Sequence, residues 1–152
     1  MKNIQILSII VFLLASVDSW AEEASIQTIQ VIVSSQSELT TLNRKQVMGL
    51  FLGRSRSFPN GINAKAFDHE VGSTIRARFF EGLTGKSISD IDAYWARLRY
   101  SGRASPPKVI DNMAEILKEV SQNQHAIAYI QGQDPAELIQ QDIVVVHTVD
   151  AN

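Results

Sequence analysis

Runs rich in β-branched residues alternate along this chain with segments of helical periodicity, and that alternation restricts the fold more than any other feature. Thr28-Ile29-Gln30-Val31-Ile32-Val33 reads as a strand, as do residues 63–67, Ala126-Ile127-Ala128-Tyr129-Ile130 and residues 143–149. Between them, residues 42–52 begin as a helix should. Asn43 can cap, Gln46 completes a capping box, Leu42 can staple onto Val47, and Gly53 stops the run. Pro59-Asn60-Gly61 is a turn, with φ fixed and then residues that tolerate positive φ. A second helix opens at Gly72-Ser73-Thr74, presents Ile75, Phe79 and Leu83 on one face and ends at Gly85. A third spans residues 87–100, with Ile88, Ile91, Trp95 and Leu98 in one stripe. Residues 103–107, with two prolines, read as a stiff connector. Asp111 is expected to cap a fourth helix whose inner face is Met113, Ile116, Leu117 and Val120. Strands interleaved with helices predict an α/β fold: a mixed, mostly parallel sheet with helices on both faces.

The first residues carry a different signal. Lys2 precedes a nearly unbroken apolar run over residues 4–17, and Ser19-Trp20-Ala21 places small residues at −3 and −1 of a cleavage site before Glu22 and Glu23. We expect a secretory signal peptide over residues 1–21 and one domain over residues 22–152, exported to a periplasm with no stable membrane insertion after cleavage. With 152 residues, 45% of them apolar, one self-sufficient core is expected. The absence of cysteine excludes disulfides, thiolate metal sites and a lipoprotein anchor. A net charge of −2 gives no support to nucleic-acid binding.

Chemistry is sought where a strand ends and a helix begins, because ligands of open α/β sheets lie beyond the carboxyl ends of strands. The strand–loop–helix segment from residue 63 to Thr74 has this form. Gly72, Ser73 and Thr74 supply free N–H groups, room for close approach and two hydroxyls, with Arg76 and Arg78 in the first turns. The same three residues also suit an ordinary cap. Asp68-His69-Glu70 does not converge on one point, and no carboxylate or histidine completes a metal site with it. His125 and His147 read as surface or satisfied histidines. No nucleophile elbow, phosphate loop or dinucleotide fingerprint is present, so no catalytic residue, metal or cofactor is expected. Arg97, Arg99, Arg103 and Lys108 surround Tyr100 and the prolines. Arg103, after Gly102 at a helix end, can direct a fork of donors into a crevice. Trp95 reads as core, and Tyr94 and Tyr100 as either core or site.

Several segments together resemble one family. Leu42-Asn43-Arg44-Lys45-Gln46-Val47-Met48-Gly49-Leu50-Phe51-Leu52-Gly53 resembles the "Leu-(Ser/Thr)-(Arg/Lys)-x-Gln-(Leu/Val)-x-x-Ile-Phe-Leu-Gly" segment of phosphate-binding proteins of ABC transporters. Gln124-His125-Ala126-Ile127-Ala128-Tyr129-Ile130 is similar to their "Pro-Gly-Ala-Ile-Gly-Tyr-Val" strand. Tyr94-Trp95 and Ser101-Gly102-Arg103-Ala104-Ser105-Pro106-Pro107 resemble the short, exported members. The resemblance implies a single lobe of the type 2 periplasmic-binding-protein fold. It also implies an oxyanion site, because Gly72, Ser73 and Thr74 fall on the family's phosphate-holding Ser-Gly-Thr. Asp68 falls where the family has arginine and Glu70 where it has aspartate, which weakens an anion site unless Arg76 or Arg103 compensates.

Two functions follow as expectations. One is an exported, substrate-binding-like protein that holds phosphate or another small oxyanion at Gly72, Ser73, Thr74, Arg76 and Arg103, for ABC-type uptake or sensing. The other is a non-catalytic interaction domain with an eroded ligand site, whose surface serves an ABC transporter, another envelope protein or a homodimer.

Overall fold

The computed structural model describes residues 28–150, so the expected signal peptide lies outside the described residues. Among them, no helix is long and apolar enough to cross a membrane. Five strands, β1 (Ile29–Ser34), β2 (Lys65–Asp68), β3 (Lys108–Val109), β4 (Ala126–Gln131) and β5 (Ile143–Val149), form one sheet in the order β3-β2-β4-β1-β5. β2 runs parallel to β3 and β4, while β1 is antiparallel to both β4 and β5. Four of the five strands therefore point the same way, and the mixed, mostly parallel sheet is as expected.

Five α-helices cover its two faces: α1 (Arg44–Phe51), α2 (Thr74–Thr84), α3 (Ile88–Tyr100), α4 (Met113–Gln122) and α5 (Pro135–Ile139). Strand alternation sends Val31, Val33, Ile127 and Tyr129 to one face, where α1, α2 and α3 bring Val47, Phe51, Phe79 and Trp95. Ile32, Ala128 and Ile130 face the other side and meet Ile116 and Val120 of α4 and Leu138 of α5. A register shift opposite Val31/Ile32 pairs Val31 with His147 and Ile32 with Val145, leaving Val146 as the extra residue. The bulge lets Val144 and Val149, which differ in parity, pack on the same side.

The local signals explain the elements that position the site. Asn43 and Gln46 form the capping box of α1, and Leu42 and Val47 are both buried beside it. Gly61, at φ 87°, closes the turn after Pro59, and Gly85, at φ 70°, ends α2 in the left-handed conformation. Ser87 caps α3. One expectation needs correcting: Asn112, not Asp111, caps α4, its side-chain oxygen accepting from the N–H groups of Ala114 and Glu115. The expected connector leads directly into β3, an edge strand too short to show any periodicity.

Candidate functional site

β2 ends at Asp68, and the chain turns through Gly72, at φ 92°, into α2. Among the five α-helices of the described residues, α2 alone has no side-chain cap: the other four are capped by Asn43, Ser87, Asn112 and Asp134. Ser73 occupies the cap position, but its hydroxyl donates to the Glu70 carbonyl at 2.8 Å, and its N–H donates to the same oxygen at 3.1 Å. Two hydrogen bonds thus tighten the loop while the first N–H groups of α2 keep their donors. Nothing lies within 4 Å of the position a Cβ would take at Gly72. Thr74 is exposed and, with Ile75, Arg78, Ile29 and Gln131, lines a depression of about 280 Å3. Gly72, Ser73 and Thr74 therefore stand together at an open helix start with a positive dipole end.

Arg76 is in the same turn but points inward. It is 4% exposed, its Nε donates to Asp68 Oδ2 at 2.9 Å and its Nη2 to Asp92 Oδ1 at 2.8 Å. Its guanidinium lies 5.4 Å from the Phe80 ring centre, and its buried Nη1 has no hydrogen-bond partner among the described residues. Burial works against the charge on Arg76, yet the two carboxylates outweigh burial and raise its pKa. The cation expected to serve a ligand is thus neutralised from within, and Asp68, standing where the resemblance has arginine, is one of the two groups that do so. Arg103 is exposed in the loop after α3, its N–H bonded to the Leu98 carbonyl. α3 reaches Arg76 through Asp92, and about 12 Å of helix axis separates Asp92 from Tyr100. Arg103 thus follows the end of α3 away from that contact.

Asp68 is the centre of this network. Its Oδ1 accepts from the His69 N–H at 2.8 Å and from the Tyr129 hydroxyl. The His69 ring places Nε2 2.8 Å from the Tyr129 carbonyl, so Nε2 carries the proton and donates. Tyr129 stacks on Phe79 with ring centres 3.7 Å apart and meets Phe51 edge-on at 5.6 Å. Burial first, and the Asp68 charge second, push its hydroxyl well above the usual tyrosine pKa. Asp92 and Tyr129 are not singled out by sequence. A signal existed for Tyr129, since a tyrosine inside an otherwise apolar strand needs a partner for its hydroxyl.

Asp68, Arg76 and Tyr129 form the buried centre of this network and Asp92 its solvent-facing edge, and among the described residues no group of three or more metal-ligating side chains forms a site. Chemically, the arrangement braces the loop from Asp68 to Thr74 and leaves its outer side to solvent.

No protein-family model matches the chain, and no curated protein matches it in sequence. Solved structures do match. An ABC-type phosphate transport receptor from Vibrio cholerae aligns over 80% of this chain and 47% of its own, with a TM-score of 0.57 and 14% identity. The chain carries the fold of phosphate ABC transporter substrate-binding proteins. PstS from Borrelia burgdorferi aligns over 79% of this chain and 46% of its own, with a TM-score of 0.60 and 12% identity. A protein from Clostridium perfringens, assigned as a phosphate ABC transporter substrate-binding protein and holding bound phosphate, aligns over 80% and 45%, with a TM-score of 0.57 and 18% identity. The chain spans less than half the length of each of these proteins. At such identities the likeness is one of fold.

Proposed function

We propose that this protein is a non-enzymatic binding protein, exported to the periplasm, that holds phosphate or another small oxyanion at Gly72, Ser73 and Thr74 for ABC-type uptake or sensing. One observation carries the proposal: the helix start beyond β2, in a fold shared with phosphate receptors, is the only α-helix start among the described residues without a side-chain cap. The N–H groups of the first turn and the Thr74 hydroxyl are the donors. Arg76 acts as a brace, holding Asp68 and Asp92 together behind the loop rather than contacting the ligand.

The test is calorimetry of the purified protein with phosphate at low salt and sulfate as competitor. Saturable binding is expected, weakened several-fold in a Thr74→Ala variant, since a neutral hydrogen bond contributes about 1 kcal/mol. Absence of heat in the wild type, or equal affinity in the variant, overturns the proposal. The pairing of Arg76 with two carboxylates, together with Val71 standing 70% exposed on the same loop, favours a second reading. In it the ligand site is eroded and the lobe serves as a non-catalytic interaction domain in the envelope. A protein silent towards every oxyanion is the outcome that reading expects.

A further inference from the structure

The far end of α2 opens onto a groove of a different character. α1 and α3 run along its sides, and it encloses about 460 Å3. Its floor is apolar, formed by Met48, Leu52, Ile91 and Tyr94. The Tyr94 hydroxyl donates to the Leu52 carbonyl at 2.7 Å, which ties α3 to the end of α1 and holds the floor in place. Around the rim stand Arg54, Lys86 and Arg97, all exposed. None of the three forms an ion pair among the described residues. The single carboxylate of the lining, Asp90, already accepts from the Ser87 hydroxyl at 2.8 Å. A chain with a net charge of −2 thus gathers three unpaired cations around one groove with an apolar floor.

We propose that this groove between α1 and α3 binds an acidic peptide segment of a partner protein, with its acidic side chains on Arg54, Lys86 and Arg97 and apolar side chains between them on the floor. Charge complementarity selects the sign of the partner. Spacing selects a peptide over a small anion. From Ile88 to Arg97 the axis of α3 covers about 14 Å, so Lys86 and Arg97 stand at opposite ends of the trough, farther apart than one oxyanion reaches. An extended peptide advances about 3.3 Å per residue, so two acids four residues apart meet both ends. The floor is already fixed by the Tyr94 bond, which lowers the ordering cost of association. This surface is separate from the α2 start, and the inference stands whether or not an oxyanion binds there.

The probe is a fluorescein-labelled peptide containing Glu-Ala-Leu-Ala-Glu, in which alternation puts both acids and the leucine on one face, followed by anisotropy with the purified protein at low salt. Its Gln-Ala-Leu-Ala-Gln counterpart and phosphatidylglycerol vesicles serve as the other arms. Saturable binding of the acidic peptide is expected, weakened about tenfold or more by Arg54→Glu/Arg97→Glu and falling as salt is raised. A thermal melt checks that the variant is folded; Lys86→Glu, in the exposed turn before α3, repeats the test if it is not. Equal binding of the neutral peptide overturns the proposal, as does unchanged affinity in the charge-reversed variants. So does binding of the vesicles without the acidic peptide, or the absence of binding altogether.

Discussion

The two ends of α2 solve the same problem in opposite ways. A helix leaves its first N–H groups and last carbonyls without internal partners, and side chains or backbone turns usually satisfy them. At the C-terminal end the last carbonyls are met by the backbone and by a neighbouring helix. Gly85 adopts φ 70° and returns its N–H to the Glu81 carbonyl at 2.7 Å, while Arg44 of α1 donates to the Leu83 and Gly82 carbonyls at 2.7 and 3.1 Å. At the N-terminal end the cap side chain is turned away, Gly72 faces open space, and the nearest cation is drawn inward to Asp68 and Asp92. One end is sealed by its neighbours and the other is left with donors to give. That difference is why the anion proposal rests on the N-terminal end and on backbone rather than on arginine.

The largest effect belongs to the inward turn of Arg76. Arg76→Ala leaves Asp68, 3% exposed, as a buried carboxylate without its cation, and a loss of about 3–5 kcal/mol is expected in urea unfolding. Arg76→Lys is expected to recover little of it, since one ammonium cannot reproduce a fork that joins two carboxylates. A stability change below about 1 kcal/mol, accompanied by loss of phosphate binding, would instead make Arg76 a ligand group and reverse the assignment.

How far sequence alone reaches depends on whether the deciding contacts are local. The cap of α1, the turn at Gly61, the end of α2 at Gly85 and the burial of Trp95 depend on neighbours in sequence or on one helical stripe, and all appear where expected. Asn112 took the cap expected of Asp111 because two adjacent Asx residues offer equivalent oxygens, and only backbone direction separates them. α5 carries an Asp134-Pro135 start but only five residues, too few for a periodic pattern. At the site, the grouping of Gly72, Ser73 and Thr74 is local and legible. The direction of Arg76 was partly so, since it shares an i, i+4, i+7 row with the buried Phe80 and Leu83. The rest of the network was not: Asp92, its second carboxylate, comes from the next helix, and Tyr129, which donates to Asp68, from a strand sixty-one residues beyond it.

Tyr129→Phe tests the same network from the strand side. Removing its hydroxyl takes one donor from buried Asp68, and about 1–3 kcal/mol should be lost. The pH dependence has a definite sign. Burial and the Asp68 charge raise the Tyr129 pKa, so the folded protein holds that proton more tightly than the unfolded chain does. Its contribution is complete below about pH 10, the unfolded value, and is lost as pH rises through the folded value. Urea midpoints measured upward from neutral pH should therefore fall more steeply above about pH 10 in the wild type than in Tyr129→Phe. Parallel curves would show that the hydroxyl is not coupled to Asp68.

The smallest effect separates the two helix ends most cleanly. Gly72 and Gly85 both have positive φ, 92° and 70°, and neither has an atom within 4 Å of the place a Cβ would take. Alanine at either position meets no clash and costs only the strain of the left-handed backbone, about 1–2 kcal/mol. Gly72→Ala and Gly85→Ala should accordingly lower stability by similar amounts in the same denaturant series. Their phosphate titrations should differ. A methyl group at Gly72 stands beside the free N–H groups and hinders close approach of an oxyanion, whereas one at Gly85 stands at the end already closed by backbone and by Arg44. Equal stability with affinity lost only in Gly72→Ala would place the oxyanion at the uncapped start. Affinity lost equally in both would mean that the ligand responds to overall stability and not to the open end of α2.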